Sequence, residues 1–520
     1  MSLLTVEHLS HGFGDRAIFE DVSFRLNRGE HVGLVGANGE GKSTFMSIIT
    51  AHLEPDEGTI QFTRGIEAGY LDQHTSLTPG MSIRDILRQA FDPLNAKQAR
   101  LEEIYALLGT ADADDEAAMA DLMDEMGELQ TQIEHSDFFL MDAKIVETAD
   151  ALGLLAFGLE TDVAALSGGQ RTKVLLAKLL LEKPDILFLD EPTNYLDAEH
   201  ISWLRQYLLE YENAFIVISH DIPFLNSVIN VVYHVSNCRL ERYAGDYDRF
   251  LEVYEVQKAQ REDAYERQQR EIASLKDFVA RNKARVSTRN MAMSRQKKID
   301  RMDVIELDKE RPVPVFAFQS DRAPSRIVFE AQGLVIGYEE PLSRPIDLQL
   351  ERGQKISLVG ANGIGKTTLL KSLLGLVPAL AGKHEQGEYL SIGYFEQENV
   401  AAPDQTCLES LGADYPGMSQ AELRSALARC GLTVKHIESK VAVLSGGEQA
   451  KLRICKLMNR KHNLLVLDEP TNHLDVVAKE VLKKALQDYA GTILMVCHEP
   501  EFYESIVTGT WDARAWALRL

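Results

Sequence analysis

The stretches GANGEGKST at residues 36–44 and GANGIGKTT at residues 360–368 set the architecture of this chain. Both fit the pattern G-x4-G-K-[ST], through Gly36–Ser43 and Gly360–Thr367. Each follows an apolar run (HVGLV, KISLV) and precedes a helical one (FMSIIT, LLKSLLG), the strand–turn–helix context that the pattern requires. Glycines let backbone N–H groups curl around phosphate oxygens, and the positive end of the following helix favours negative charge. The expected nucleotide cradles are Gly36, Asn38, Gly39, Gly41 and Thr44 in the first loop, and Gly360, Asn362, Gly363, Gly365 and Thr368 in the second. Lys42 and Lys366 would reach the β/γ-phosphates, while Ser43 and Thr367 would ligate Mg2+.

The repeat continues beyond the glycine loops. GYLDQ ending at Gln73 recurs as GYFEQ ending at Gln397, with the 324-residue offset (360 − 36) of the two glycine loops. LSGGQ from Leu166 recurs as LSGGEQ from Leu444, but the offset has fallen to 278 (444 − 166). LFLDEPTNYLD matches LVLDEPTNHLD, and VISH matches MVCH, at the same shorter offset. The period is far too long for a solenoid, so two duplicated domains are expected, the first carrying 46 extra residues (324 − 278) between Gln73 and Leu166.

The apolar strands ILFLD and LLVLD end in Asp190 and Asp468, each followed by a glutamate, Glu191 or Glu469. A carboxylate at a buried strand end can hold the magnesium hydration shell, and its neighbour can orient or deprotonate an attacking water. The strand-end Asp lies 24 residues beyond the LSGG leucine in both modules. His220 and His498 cap apolar strands 30 residues further on, where an imidazole could contact a γ-phosphate.

Composition limits the alternatives. The chain has 520 residues, 45% hydrophobic and 26% charged, with a net charge of −24. That is ordinary globular composition with room for three or four folding units. Five cysteines without a CxxC pair argue against a disulfide scaffold or a zinc ribbon. No window approaches 18 apolar residues, and MSLLTVEHLSHGF lacks the basic-then-apolar pattern of a secretory signal, so a cytoplasmic location is expected.

Two segments stand outside the repeat. The insertion, about 92–135, reads as helices, with Leu101, Ile104, Leu107 and Leu108 on one face and Leu122, Met126, Leu129 and Ile133 on another. Between Asp92 and Asp150 lie 16 acidic and three basic residues. The segment between the modules, about 251–322, predicts a helix over 254–283 and another over 294–307, with ARVSTRNMAM as the intervening turn or tip. From Lys276 to Arg301 it carries nine Lys/Arg and two acidic residues. Such local positive charge in an acidic chain points to a polyanion-binding element.

Walker A, Q-loop, LSGGQ, Walker B with its glutamate, D-loop (Asp197, Asp475) and switch histidine, in that order, resemble the ATP-binding cassette superfamily. Two cassettes in one chain, an insertion in the first and a basic linker ending in SRQKKIDRMD look like the ABC-F subfamily. The resemblance implies an α/β fold of two P-loop NTPase cassettes in tandem. Cassette 1 would span 1–250 with its helical arm, the basic linker 251–322 and cassette 2 323–520. It implies face-to-face closure of a monomer around two ATP and two Mg2+, with Gln73, Gln397, Asp190 and Asp468 among the metal-binding residues. Ser167 and Gly169 would complete the site on Lys366, and Ser445 and Gly447 the site on Lys42. Phe13 and Tyr338 would stack on adenine.

For partners the resemblance implies the ribosome. An ATP-hydrolysing ABC-F protein binds the ribosomal E site, its linker reaches toward P-site tRNA and the peptidyl-transferase centre, and its arm approaches the L1 stalk. The expected RNA-contacting set is Lys276, Arg281, Lys283, Arg285, Arg289, Arg295, Lys297, Lys298 and Arg301, with Val286–Met293 as the tip. The physiological task would be regulation or rescue of translation, or protection against ribosome-targeting antibiotics. An ATPase subunit energising a separate membrane transporter is the alternative, which leaves the basic linker without a use. A chromosome or DNA-repair ATPase would carry long coiled coils or zinc modules.

Overall fold

Each glycine loop follows a strand placed inside a mainly parallel sheet. The computed structural model describes residues 2–14, 16–71, 77–110, 116–194, 196–282, 289–304, 313–396 and 404–518. In the first cassette the strand order is Ala68–Leu71, Ile186–Asp190, Ala214–Ile218, His31–Val35, Val231–Ser236 and Arg239–Ala244, and only the last pairing is antiparallel. In the second it is Ile392–Phe395, Leu464–Asp468, Thr492–Val496, Lys355–Val359 and Gly509–Asp512, parallel throughout. The glycine loops, the strand-end carboxylates and the switch histidines thus all emerge at the carboxyl ends of adjacent strands, where α/β sheets bind ligands.

The central strands are apolar on both faces, as a sheet covered on two sides requires. Leu187, Leu189, Phe215 and Val217 pack under the helical layer, whereas Ile186, Phe188, Ile216 and Ile218 face the other way. That other layer is a three-stranded antiparallel sheet, Arg16–Asn27, Ser2–Phe13 and Glu57–Phe62, with the P-loop helix Lys42–Ile49. The second cassette repeats the scheme: Leu465, Leu467, Ile493 and Met495 on one face, Leu464, Val466, Leu494 and Val496 on the other. Full burial of each such side chain contributes about 1.5–3 kcal/mol, so alternate residues of one strand fasten two layers.

The insertion forms two helices, Asp92–Thr110 and Glu116–Glu134, lying against each other. Leu101, Ile104 and Ile133 are buried between or beneath them, while Leu107 is exposed. Arg100 clamps Glu125 with two hydrogen bonds, Nε to Oε1 at 2.9 Å and Nη2 to Oε2 at 3.0 Å.

Between the cassettes runs the helix Tyr247–Asn282, 36 residues long and so about 54 Å at 1.5 Å per residue. It begins inside the first cassette, where Phe250 is buried and Tyr247, Val253 and Tyr254 pack around it. The second helix is Arg289–Asp300. The sequence places Arg289–Met293 in the tip and extends this helix to Leu307. In the structure Asn290–Met293 is already helical, and Ala292 there is fully buried, as Ile272 and Val279 are on the first helix, which packs against it. Residues 301–304 have left the helix, and 305–312 lie outside the described residues. From Val315 the chain is fastened to the second cassette. Val315 N–H bonds Arg429 O at 2.7 Å, Phe316 enters that cassette's core, and Gln319–Ser320 pairs with Lys461–His462.

Candidate functional site

The P-loops are built from backbone that only glycine tolerates at its tightest point. Gly41 caps its helix at φ 103°, and a Cβ there would lie 2.4 Å from Ile18 Cγ2. The helices that follow, Lys42–Ile49 and Lys366–Leu373, have no acidic residue in the first turn, so their positive ends are uncompensated. Lys42 Nζ donates to Gly36 O at 2.8 Å and Ala37 O at 3.2 Å, and Lys366 Nζ to Gly360 O and Ala361 O at 2.8 Å each. An ammonium has three donors, so each lysine retains one for a phosphate oxygen. Burial drives both lysines below the ordinary range, Lys366 to about 8, against the attraction of Glu191, Asp190 and Asp475 for Lys42, and of Glu469, Asp468 and Asp197 for Lys366.

Those last members identify the geometry, because Asp475 and Asp197 come from the opposite cassette. Asn38 Nδ2 donates to His473 O at 2.9 Å across the interface. A Cβ on Gly447 would sit 2.6 Å from Asn38 Nδ2 and from His473 O, so the second signature is pressed against the first P-loop where no other side chain fits. Ser445 and Ser167 each cap a signature helix, Gly446–Met458 and Gly168–Glu182, with reciprocal side-chain and backbone bonds to Glu448 and Gln170. One cavity of about 1570 Å3 holds both P-loops, both signatures, Phe13 and Tyr338. The two aromatics are largely exposed to it, at 51% and 63%, and Phe13 is braced edge-on by His11 at 4.9 Å.

Asp190 and Asp468 end fully buried strands, and the chain then turns sharply: Glu191 has φ 51° and Glu469 φ 48°. Their N–H groups bond Ile218 O and Val496 O at 2.9 Å, which fastens each turn to the neighbouring strand. His220 Nε2 approaches Glu191 Oε1 at 3.4 Å, and His498 Nε2 approaches Glu469 Oε1 at 3.4 Å. The two centres differ electrostatically. Burial and the adjacent Asp190 push Glu191 up to about 8, with Lys42 opposing, and burial, Lys42 and Lys479 push His220 down to about 3. Glu469 is also raised by burial, but hydrogen bonds from His498 and Asn472 outweigh that and hold it below its usual value.

The donor set suits magnesium. Asp468 is fully buried at 0% exposure, and neither carboxylate oxygen makes a well-formed hydrogen bond to a described residue. Burial lifts it to about 6, with the Thr367 hydroxyl pulling the other way. Hard oxygens from the buried carboxylates Asp468 and Asp190, and from the more open hydroxyls of Thr367 and Ser43, are what a small hydrated dication takes. Gln73 and Gln397 lie outside the described residues.

Two lysines were not singled out from the sequence. Lys451 Nζ pairs with Asp475 Oδ2 at 3.2 Å, whereas Lys173 Nζ meets His200 Nδ1 at 3.3 Å and His200 in turn holds Asp197 at 2.9 Å. Both lie seven residues after the signature leucine (173 − 166, 451 − 444), so alignment of the repeats carries the signal.

In the linker the structure divides the cationic set. Arg281 is paired with Asp277 at 2.9 Å, Lys298 with Glu271 at 2.6 Å, and Arg295 lies 3.5 Å over the Phe278 ring. Lys276, Lys297 and Arg301 are exposed. Lys283 and Arg285 lie outside the described residues, as does the side chain of Arg289.

Comparison with known proteins agrees with this geometry. The ABC transporter family profile matches residues 19–194 and 343–472, and a second ABC transporter profile matches 233–318. The chain is 62% identical to the uncharacterized ABC transporter ATP-binding protein YfmM of Bacillus subtilis, over the full length of both. It is 32% identical to the energy-dependent translational throttle protein EttA of Mycobacterium tuberculosis, covering 97% of this chain and 90% of that one. It is 33% identical to ABC transporter F family member 2 of Arabidopsis thaliana, covering 98% of this chain and 76% of that one. The solved structure of an RNase-L inhibitor shares the fold, at TM-score 0.55 and 19% identity over 97% of this chain and 87% of that one. Paired cassettes across the full chain, and this likeness to an F family member over most of both lengths, show that the protein belongs to the ABC-F branch of the ATP-binding cassette superfamily and is an ATPase using ATP and Mg2+.

Proposed function

We propose that this ATPase is an ATP-gated ribosome-binding factor. Closure on ATP fixes the shape that enters the ribosomal E site, and hydrolysis releases it. The observation that carries the reading is the linker hairpin, which presents Lys276, Lys297 and Arg301 to solvent in a chain of net charge −24. A phosphate backbone attracts such a face, and a transporter ATPase has no need of it. Among the described residues no helix is long and apolar enough to cross a membrane. The name of the related throttle protein, a translational one, points the same way.

In this reading the hairpin tip reaches toward P-site tRNA and the peptidyl-transferase centre, and the acidic arm meets a protein neighbour near the L1 stalk. The consequence is regulation or rescue of translation, or displacement of ribosome-bound antibiotics. The machine is a monomer with intramolecular cassette pairing around two ATP and two Mg2+. Phe13 and Tyr338 stack adenine, and Lys42 and Lys366 hold the β/γ-phosphates. Ser445 with Gly447 serves the nucleotide on Lys42, and Ser167 with Gly169 the one on Lys366. Ser43, Thr367, Asp190 and Asp468, with Gln73 and Gln397, hold magnesium, which supplies positive charge to the phosphates when bound. Glu191 and Glu469 orient the attacking water and accept its proton, and His220 and His498 meet the γ-phosphate from the neighbouring strand ends.

Sedimentation separates this from the transporter reading. With a non-hydrolysable ATP analogue the protein should pellet with ribosomes and stay in the supernatant with washed membrane vesicles. The reverse distribution contradicts the proposal.

A further inference from the structure

The two halves of the cassette interface do not carry the same charges. The residue after each switch histidine is acidic, Asp221 in the first cassette and Glu499 in the second. Both line the cavity between the cassettes. The charge of Glu499 reaches across the interface and raises the Asp221 carboxyl beyond what burial does. Two carboxylates brought together in a partly dehydrated cleft repel, and that repulsion grows as the cleft closes.

Lys479 lines the same cavity and its charge acts on Asp221 as well as on Glu499. It lies on the helix Val476–Asp488, one turn beyond the D-loop Asp475 that caps it. Its side chain is only 13% exposed, and Nζ donates to Glu499 Oε1 at 2.8 Å and Oε2 at 3.0 Å. Its charge reaches into the opposite cassette, acting on Asp221, His220 and Glu191. Glu501 also faces Asp221, and Lys42, Asp475 and His473 also face His220. At the equivalent position 278 residues earlier (479 − 278) the first cassette has Ile201, which also lines the cavity. An uncharged isoleucine cannot offset an acidic pair, so at this pair of equivalent positions the second cassette alone supplies a cation.

We infer that Lys479 is a positioning residue for the ATPase cycle: it neutralises the Asp221–Glu499 pair and so permits the two cassettes to close over nucleotide. It touches no reacting atom. Each site is complete only when the opposite signature arrives, so weaker closure is read as weaker apparent nucleotide affinity, not as slower chemistry in the closed state.

The test is steady-state ATP hydrolysis by the full-length protein. Lys479→Met should raise KM for ATP roughly tenfold with little change in kcat, the scale of a lost bond to a charged group. Lys479→Arg keeps the charge and should restore KM. The deciding variant adds Asp221→Asn and Glu499→Gln to Lys479→Met: with no carboxylates left to repel, KM should return near the wild-type value. Asn can still cap the helix that Asp221 begins, so folding is retained. Thermal melting of each variant shows whether it folds, and Lys479→Gln, which also removes the charge, carries the comparison if Lys479→Met does not fold. An unchanged KM in Lys479→Met overturns the inference, as does a raised KM that the triple variant fails to restore, or a KM in Lys479→Arg as high as in Lys479→Met.

Discussion

Glu191 and Glu469 occupy left-handed backbone at φ 51° and 48°, a region that costs a non-glycine residue about 1–3 kcal/mol. The same departure recurs in both cassettes and brings each carboxylate within 3.4 Å of the histidine on the neighbouring strand end. Replacing both with Gln retains size and hydrogen bonding and removes the proton acceptor. Turnover should fall by about 100-fold or more while ATP binding persists, measured by phosphate release against nucleotide retention. Asp468 offers a second test. Its carboxyl is raised to about 6 in the fold, above the ordinary aspartate value, so the unfolded chain releases that proton more readily and the burden grows as pH rises from about 4 through 6. Without Mg2+ or nucleotide, Asp468→Asn should therefore stabilise the second cassette at pH 7 by about 1–3 kcal/mol, and the gain should vanish near pH 4. Thermal melts across pH check this, and equal melting of both proteins at pH 7 refutes it. Glycine loops and strand-end carboxylates were legible because phosphate chemistry ties residue types to fixed spacings. Lys479 was not, because its partners Glu499 and Asp221 meet only when two cassettes are brought face to face.

At the scale of elements, some cations of the linker hairpin have an acidic or aromatic partner on the hairpin itself, and Lys276, Lys297 and Arg301 face solvent. Arg281, Lys298 and Arg295 are engaged by Asp277, Glu271 and Phe278. Changing Lys276, Lys297 and Arg301 to Gln should weaken ribosome binding and lower its log–log salt slope by about 0.7–0.9 for each phosphate left without its cation, with ribosome-free ATPase activity intact. An unaltered slope excludes these three as phosphate ligands. The sequence revealed two helices and a local excess of cations, because helical periodicity and charge counts are local properties. It did not reveal which arginines are already paired, nor that the second helix starts before Ser294. Ala292, too small to mark a face by pattern, is buried in that earlier stretch. The arm shows the same limit: Leu101, Ile104 and Ile133 are buried as their spacing suggests, yet Leu107 is exposed.

For the whole molecule, the two cassettes line one cavity, in which the first P-loop meets the second signature and each P-loop lysine is attracted by the D-loop aspartate of the other cassette. The duplication with offsets of 324 and 278 residues exposed both halves in the sequence, but their pairing requires the approach of Asn38 to His473 and Gly447. Paired cysteines at Asn38 and His473 should therefore crosslink in the closed protein, whereas cysteines at Asn38 and Gly169 should not. In the proposed function, this closed form is the one a ribosome accepts. Co-sedimentation of the Glu191→Gln, Glu469→Gln protein with ribosomes tests it most directly. ATP should trap the double variant on ribosomes well above the wild-type level, and omission of ATP should release it; binding that ignores ATP, or no binding with ATP present, would contradict the account.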